Sequence, residues 1–416
     1  MKTIYVYENW LSKKPSLIGK LYVETVRGGE SYSFEYDFAW LANPAAVMLD
    51  PDLNLYRGRQ YPIGKDKFGL FADSSPDRWG RILMKRRERI LADNEERKPR
   101  NLTESDYLLG VYDETRMGGL RFTLEEGGTF LSDDKTIPTP PWTSLRTLEE
   151  ASREFEKDER GLTDQWLKQL LKPGSSLGGA RPKASVLDPQ GNLWIAKFPS
   201  KHDDCNVGAW EKVVHDLARM CGLNVPESKL ECFSKSGSTF LVKRFDRNGS
   251  QRIHFSSAMT MLGKTDGAGA KDGTGYLDMV SFIKSNGAAP KEDLIELWRR
   301  IVFNMAVSNT DDHLRNHGFL LTASGWCLSP LYDVNPVEAG DELALNVSET
   351  DNRISIELAI ETAHYYDIKK TDARAMAEEI LVTVRDNWAK IAKQCGLSRT
   401  DIEDKRPAFN ACYEEC

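Results

Sequence analysis

The apolar residues change their period once along the chain, and that change restricts the fold more than any other feature. Up to about Asp246 the apolar runs are short, rich in β-branched and aromatic residues, and broken by Gly, Pro and Asn. TIYVY, LIGKLYVETV and SYSFEY read as strands, as do KASVLD with GNLWIAKFP and KLECF with STFLVKRFD, the last four as two hairpins. Beyond Asp246 the spacing becomes helical in YLDMVSFIK, KEDLIELWRRIVFNMAVSN and the long segment from Asp372 to Gln394. The order is hairpin, helix, hairpin, then a mainly helical half, so the expected class is α+β. At 416 residues the chain is too long for one ordinary core.

Boundaries follow from local signals. SDDKTIPTPP reads as a linker, so a strand-rich domain is expected over 1–138. A region with the two hairpins follows over 139–250, and a helical one over 251–416. A helix opens at SPDRWGRILMKRRERILADNEER, with Ser75 as its expected cap and Pro76 in its first turn. One of its faces is basic, carrying Arg78, Arg81, Lys85, Arg87 and Arg89, which by itself describes a solvated surface. SLRTLEEASREFEKDE and TDQWLKQLL are expected helices, AWEKVVHDLARMCG is one that stops at Gly222, and KTDGAGAKDGTG reads as a mobile loop.

Composition excludes several classes. Residues are 40% hydrophobic and 29% charged, the mark of a folded globular protein. A net charge of -7 argues against strong nonspecific nucleic-acid binding. No apolar run approaches a membrane span, and the N-terminus reaches Glu8 too soon for a secretory signal, so a cytoplasmic location is expected. The seven cysteines are scattered and odd in number, which suits reduced thiols and neither a zinc site nor a disulfide framework.

Four features carry chemistry. PGSSLGGARPK, ending at Lys183, offers glycines whose backbone N–H groups can approach an anion, with Arg181 and Lys183 adding charge. A turn before a strand is the plain alternative. AMTMLGKT imitates the P-loop G-x-x-x-x-G-K-S/T, but Ala258 occupies its first glycine and no apolar strand leads into it. Lys197 lies late in the apolar strand LWIAKFP, where a lysine needs a partner or a ligand, and Glu211 in the next helix is placed to pair with it. Asp311 and Asn316 reproduce the D-x-x-x-x-N spacing of a kinase catalytic loop after a long helix. Asp333 follows a hairpin, NHGFLL–TASG–WCLSPL, that brings the chain back. Each has a bland reading, and His313 alone reads as a structural hydrogen-bonder. Their order points to a phosphoryl-transfer site.

On these residues the chain resembles the HipA family of bacterial serine/threonine kinase toxins of toxin–antitoxin systems. SSLGGARPK resembles that family's phosphate loop, IAKFP its nucleotide lysine and VKRFDR its hinge. NTDDHLRNHG resembles its catalytic loop, LSPLYDVNP its metal segment and ADSSPDRWGRILM its N-terminal domain. The resemblance implies a strand-rich N-terminal domain before a two-lobed protein-kinase-like core, with ATP between hairpin-rich and helical lobes. It makes Asp311 the catalytic base, and Asn316 and Asp333 the holders of Mg²⁺. Gly178, Gly179, Ala180, Arg181, Lys183, Lys197 and His313 would meet the nucleotide, and Lys243, Arg244 and Phe245 the adenine. Ser176 matches a loop serine whose autophosphorylation switches members off. The implied partners are a protein substrate such as an aminoacyl-tRNA synthetase and a helix-turn-helix antitoxin of HipB type. Operator DNA is implied only within the antitoxin complex. The loop departs from the founding members in having Arg181 and Pro182 for Gln and Glu, and Asp312 stands where glycine is common. Two other readings stay open: a small-molecule kinase of similar fold, and a pseudokinase acting as an interaction or DNA-binding subunit.

Overall fold

The computed structural model describes residues 1–11, 14–132, 139–157, 170, 179 and 181–413. Contacts divide the chain into two compact units, Met1–Lys201 with Lys243–Ser256, and His202–Val242 with Ser257–Cys416. These bounds differ from the breaks expected near 138 and 250.

In the first unit the three N-terminal strands form as read: β1 (Lys2–Glu8), β2 (Ser16–Val26) and β3 (Gly29–Tyr36). With β4 (Leu120–Thr123) they make an antiparallel sheet in the order β3-β2-β1-β4. Alternation puts Ile4, Val6, Leu21, Phe34 and Phe122 on its buried side. The basic helix is α1 (Arg78–Asn94), capped by Asp77 and not by Ser75. The Asp77 carboxylate accepts from Gly80 N at 2.7 Å, whereas the Ser75 hydroxyl donates back to Phe71 O at 2.7 Å and closes the preceding turn. Both residues fit a cap chemically, and only the backbone path decides between them. The helices α2 (Glu104–Gly110) and α3 (Leu145–Lys157) follow. The expected helix TDQWLKQLL lies outside the described residues except for Leu170, as does most of the expected linker.

The hairpin of β5 (Lys183–Leu187) and β6 (Leu193–Lys197) turns on Asp188. Its carboxylate accepts from Gln190 N, Asn192 N and Trp194 Nε1 at 2.8–2.9 Å, and Gly191 takes φ +80°. This hairpin is tied to the start of α1 and to the segment before α3 for a visible reason. Lys183 Nζ forms a buried ion pair with Asp77 at 2.9 Å, Trp79 Nε1 donates to Lys183 O at 3.0 Å, and Leu187 N donates to Pro140 O.

The second unit opens with α4 (Val207–Met220), which stops at Gly222 with φ +71°. The hairpin β7 (Ser228–Ser234) and β8 (Gly237–Lys243, whose last residue is counted with the first unit) comes next, followed by α5 (Tyr276–Asn286) and α6 (Pro290–Ala306). Strands β9 (Gly318–Thr322) and β10 (Gly325–Leu328) pair in register from Phe319↔Leu328 to Thr322↔Gly325. Helices α7 (Ile356–Thr362) and α8 (Lys370–Gln394) complete the core around Trp298, Ile301, Ile380 and Val384.

One expectation changes here, and the dismissal of the P-loop imitation stands. The segment 264–275 is not a loose loop: Ala270 N donates to Ala344 O, Tyr276 N to Asn346 O, and Gly275 bridges Asn346. A Cβ on Gly275 would come within 2.5 Å of Asn346 O, so the close approach needs glycine. The P-loop imitation fails on geometry, because a helix begins at Ala258 directly after the short strand Phe255–Ser257 and leaves no anion-cradling loop. Among the described residues no helix is long and apolar enough to cross a membrane. The six described cysteines form no disulfide.

Candidate active site

The turn after α6 begins with an irregular backbone. Ser308 takes φ +48°, rare for serine, which lets Asn309 N reach back to Asn304 O at 2.8 Å and directs the chain off the helix axis. His313 N donates to Asp311 O, Asn316 N donates to His313 O, and a short 3₁₀ turn over Leu314–Asn316 leads into β9.

Within this turn the two aspartates have opposite surroundings. Asp312 is 1% exposed, and its Oδ2 accepts from Tyr276 Oη at 2.6 Å, Asn304 Nδ2 at 2.7 Å and His317 Nε2 at 2.8 Å. Burial pushes its carboxyl up, but His317 and the Tyr276 hydroxyl outweigh that and hold it below the usual range. Asp311 is exposed. An accessible carboxylate can take a proton from an incoming hydroxyl, whereas one enclosed by three donors cannot. Asn316 is buried, and its Nδ2 donates to the carbonyl of Asp311 at 3.0 Å, which leaves its amide oxygen as the atom for a cation.

The hairpin β9–β10 then returns the chain as its pattern suggested. Ser329 N donates to Gly318 O, and Tyr332 Oη donates to Arg315 O at 2.8 Å, so the residues before Asp333 and Asn316 are joined. Asp333 takes φ +58°, a conformation that Asp tolerates better than most residues and that recurs at functional sites. Asn335 N donates to Asn309 Oδ1 at 3.4 Å. Among the described residues no group of three or more His, Cys, Asp or Glu could hold a metal. One amide oxygen and one carboxylate still suit Mg²⁺, which is held by one or two protein oxygens when phosphates supply the rest.

Residues of the first unit stand as follows. Ser176, Gly178 and Ala180 lie outside the described residues. Gly179 is exposed with φ +87°, and a Cβ there would meet Lys183 Nζ at 3.2 Å. Arg181 is half-buried and donates to Phe198 O at 3.2 Å. Lys183 is buried against Asp77, so its charge is neutralised by a carboxylate, a role that the spacing of the glycine loop could not disclose. Lys197, opposite it across the hairpin, is half-buried at the end of β6. In the expected hinge, Arg244 N donates to Leu193 O, and its side chain donates to Asp246 and to Thr115 O, so that side chain is structural. Lys243 and Phe245 beside it are half-buried. In the second unit, Glu211 is buried in α4, and His313 Nδ1 is buried with no hydrogen-bond partner among the described residues.

A family model described as HipA-like C-terminal domain matches residues 175–388, just over half of the chain, a range that includes Ser176, Lys183, Lys197, Glu211, Asp311, Asn316 and Asp333. The chain belongs to the HipA family. Full-length likeness to the HipA fold is equally plain: a Shewanella oneidensis HipA structure, solved with HipB and operator DNA, matches with a TM-score of 0.68 at 16% identity. That match covers 98% of this chain and 96% of the other. In sequence, the serine/threonine-protein kinase toxin HipA of Shewanella oneidensis is 27% identical over 198 residues, 40% of this chain and 44% of that one. Y4dM of Sinorhizobium fredii, described only provisionally as a kinase, is 29% identical over 177 residues, 38% of this chain and 42% of its own. The chain thus spans about two-fifths of the length of the curated relatives it matches. Sequence reasoning missed the HipA turn's inner contacts, Tyr276, Asn304, Asn309 and His317. Asn304 gave a signal, being a polar residue inside the apolar helix run IVFNMAV.

Proposed function

We propose that this HipA-family chain is an ATP- and Mg²⁺-dependent serine/threonine protein kinase and the toxin of a bacterial toxin–antitoxin pair. The observation that carries this reading is the exposed Asp311 beside an Asn316 whose amide nitrogen is tied to Asp311's own carbonyl. That arrangement offers a base and a cation-facing oxygen at the kinase spacing.

In this reading the Asp311 carboxylate accepts the proton of the acceptor hydroxyl and orients that oxygen toward the γ-phosphorus. Asn316 and Asp333 would hold Mg²⁺, which supplies neutralisation of phosphate charge. Lys197 grips the nucleotide phosphates with Glu211 as its partner, the Gly178–Lys183 loop covers them, and the Lys243–Phe245 backbone meets the adenine. The region 139–250 thus serves the nucleotide, residues 251–416 the transfer, and residues 1–138 form the N-terminal domain. Phosphorylation of Ser176 would add about two negative charges beside that loop and disfavour ATP.

The Shewanella HipA structure contains HipB and operator DNA, which supports an antitoxin of HipB type as partner and operator contact through that complex. A cytoplasmic protein, an aminoacyl-tRNA synthetase among the candidates, is the proposed acceptor. Calorimetric titration with ATP tests the reading. Wild type should bind in a Mg²⁺-dependent manner, Lys197→Ala should weaken binding about tenfold or more, and Asp333→Asn should lose the Mg²⁺ dependence. Binding indifferent to both variants would overturn it.

A further inference from the structure

The catalytic turn reads Asp311-Asp312 and then Asn316-His317, two adjacent pairs. In each, the first residue is the one assigned to chemistry, and the second bonds inward to the same oxygen system. His317 Nε2 donates to Asp312 Oδ2 at 2.8 Å, so the ends of the turn are held together from beneath. The contacts continue past this pair. Asp312 Oδ2 accepts from Asn304 Nδ2, and Asn304 Oδ1 accepts from Asn309 Nδ2 at 3.1 Å. Asn309 Oδ1 in turn accepts from Asn335 N, two residues beyond Asp333. Val337 N donates to Ser308 O beside it. One line of buried polar groups therefore runs from under the Asp311–Asn316 turn to the segment carrying Asp333.

We propose that Asp312, Asn304 and Asn309 are positioning residues that fix Asp333 relative to Asp311 and Asn316. This inference rests on the kinase reading above. Its physical basis is geometric. Asp312, Asn304 and Asn309 are each at most 1% exposed, so every unpaired group among them carries a desolvation cost, and the chain has one arrangement that satisfies most of them. Tyr276, from the first turn of α5, supplies the third donor to Asp312 and ties a separate helix into the line. An amide in the middle is a sensitive point, because Asn309 both donates and accepts. No aspartate or alanine can do both.

The test uses the full chain and reads geometry separately from turnover. Backbone hydrogen exchange over 308–317 and 331–337 is compared in wild type and Asn309→Ala, together with Mn²⁺ binding followed by electron paramagnetic resonance in the presence of ATP. Both segments should exchange about tenfold or more faster in the variant, while β1–β4 is unchanged. Mn²⁺ affinity should fall about tenfold, as expected for loss of an outer partner of a metal ligand. In phosphate transfer, kcat should fall by a similar factor with the KM for ATP within about twofold. Asp312→Asn, which keeps the volume, serves as a second variant and should show the same split between kcat and KM. Unchanged exchange at 331–337 with unchanged Mn²⁺ affinity would overturn the inference. A wild-type chain that transfers no phosphate would count against the kinase reading, whereas the exchange comparison would still decide whether the line exists.

Discussion

Asp311 and Asp312 share a side chain and a peptide bond, yet the fold makes one a surface group and the other the centre of a buried cluster. Asp311→Asn should therefore lower phosphate transfer by about 10²–10⁴-fold while leaving stability within about 0.5 kcal/mol, checked by a transfer assay beside a urea melt. Asp312→Ala should do the reverse in the melt and destabilise by about 3 kcal/mol or more, since three buried donors lose their acceptor. The sequence pointed to one of the pair as the base but could rank them only by spacing, because their different surroundings depend on Tyr276 and Asn304, which reach Asp312 from helices α5 and α6. Lys183 and Lys197 repeat the lesson: two lysines face each other across one hairpin, and only the distant Asp77 marks the first as an ion-pair partner. Asp246 gives a pH prediction. Burial pushes its carboxyl up, but the guanidinium groups of Arg244 and Arg247 and the Gly118 N–H bring it down to about 2 from an ordinary 3.8. Because the folded value lies below the unfolded one, its stabilisation is complete above about pH 4 and is lost as pH falls toward 2. Urea midpoints should drop across that window and flatten in Asp246→Asn; a midpoint that rises on acidification would contradict the assignment.

At the scale of elements, strands β1–β3 and helices α4, α6 and α8 were legible because their apolar period is regular and their ends carry turn residues. The start of α1 was not, since Ser75 and Asp77 both qualify as caps and lie in the same short turn. The Asp77 carboxylate caps the start of the helix and neutralises Lys183, so Asp77→Ala should cost about 3–5 kcal/mol, more than a cap alone. Asp77→Asn should keep the cap and lose the pair; equal urea midpoints for the two variants would mean that the cap contributes nothing. The 264–275 segment was misjudged on its glycine content, because the backbone that pins it, Ala344 to Asn346, lies far along the chain. Gly275→Ala should destabilise by about 1–3 kcal/mol, since its methyl would strike the Asn346 carbonyl.

For the molecule as a whole, charge and partner must be considered together. A net charge of -7 opposes DNA binding by the isolated chain, while α1 exposes Arg78, Lys85, Arg87 and Arg89. Arg81 is not part of that free face, because it forms a two-pronged pair with Glu104 at 2.6 and 2.7 Å. Reversing Arg87 and Arg89 should reduce the salt dependence of operator binding by an antitoxin complex by about two phosphate contacts, read from the slope of affinity against salt. An unchanged slope would remove α1 from the interface. Phosphoryl transfer with Asp311 as base can be read by intact mass spectrometry after incubation with ATP and Mg²⁺. Wild type should gain one phosphate, mapping to Ser176, and Asp311→Asn none. Equal phosphate on both proteins, or none on a wild type that binds ATP, would contradict it.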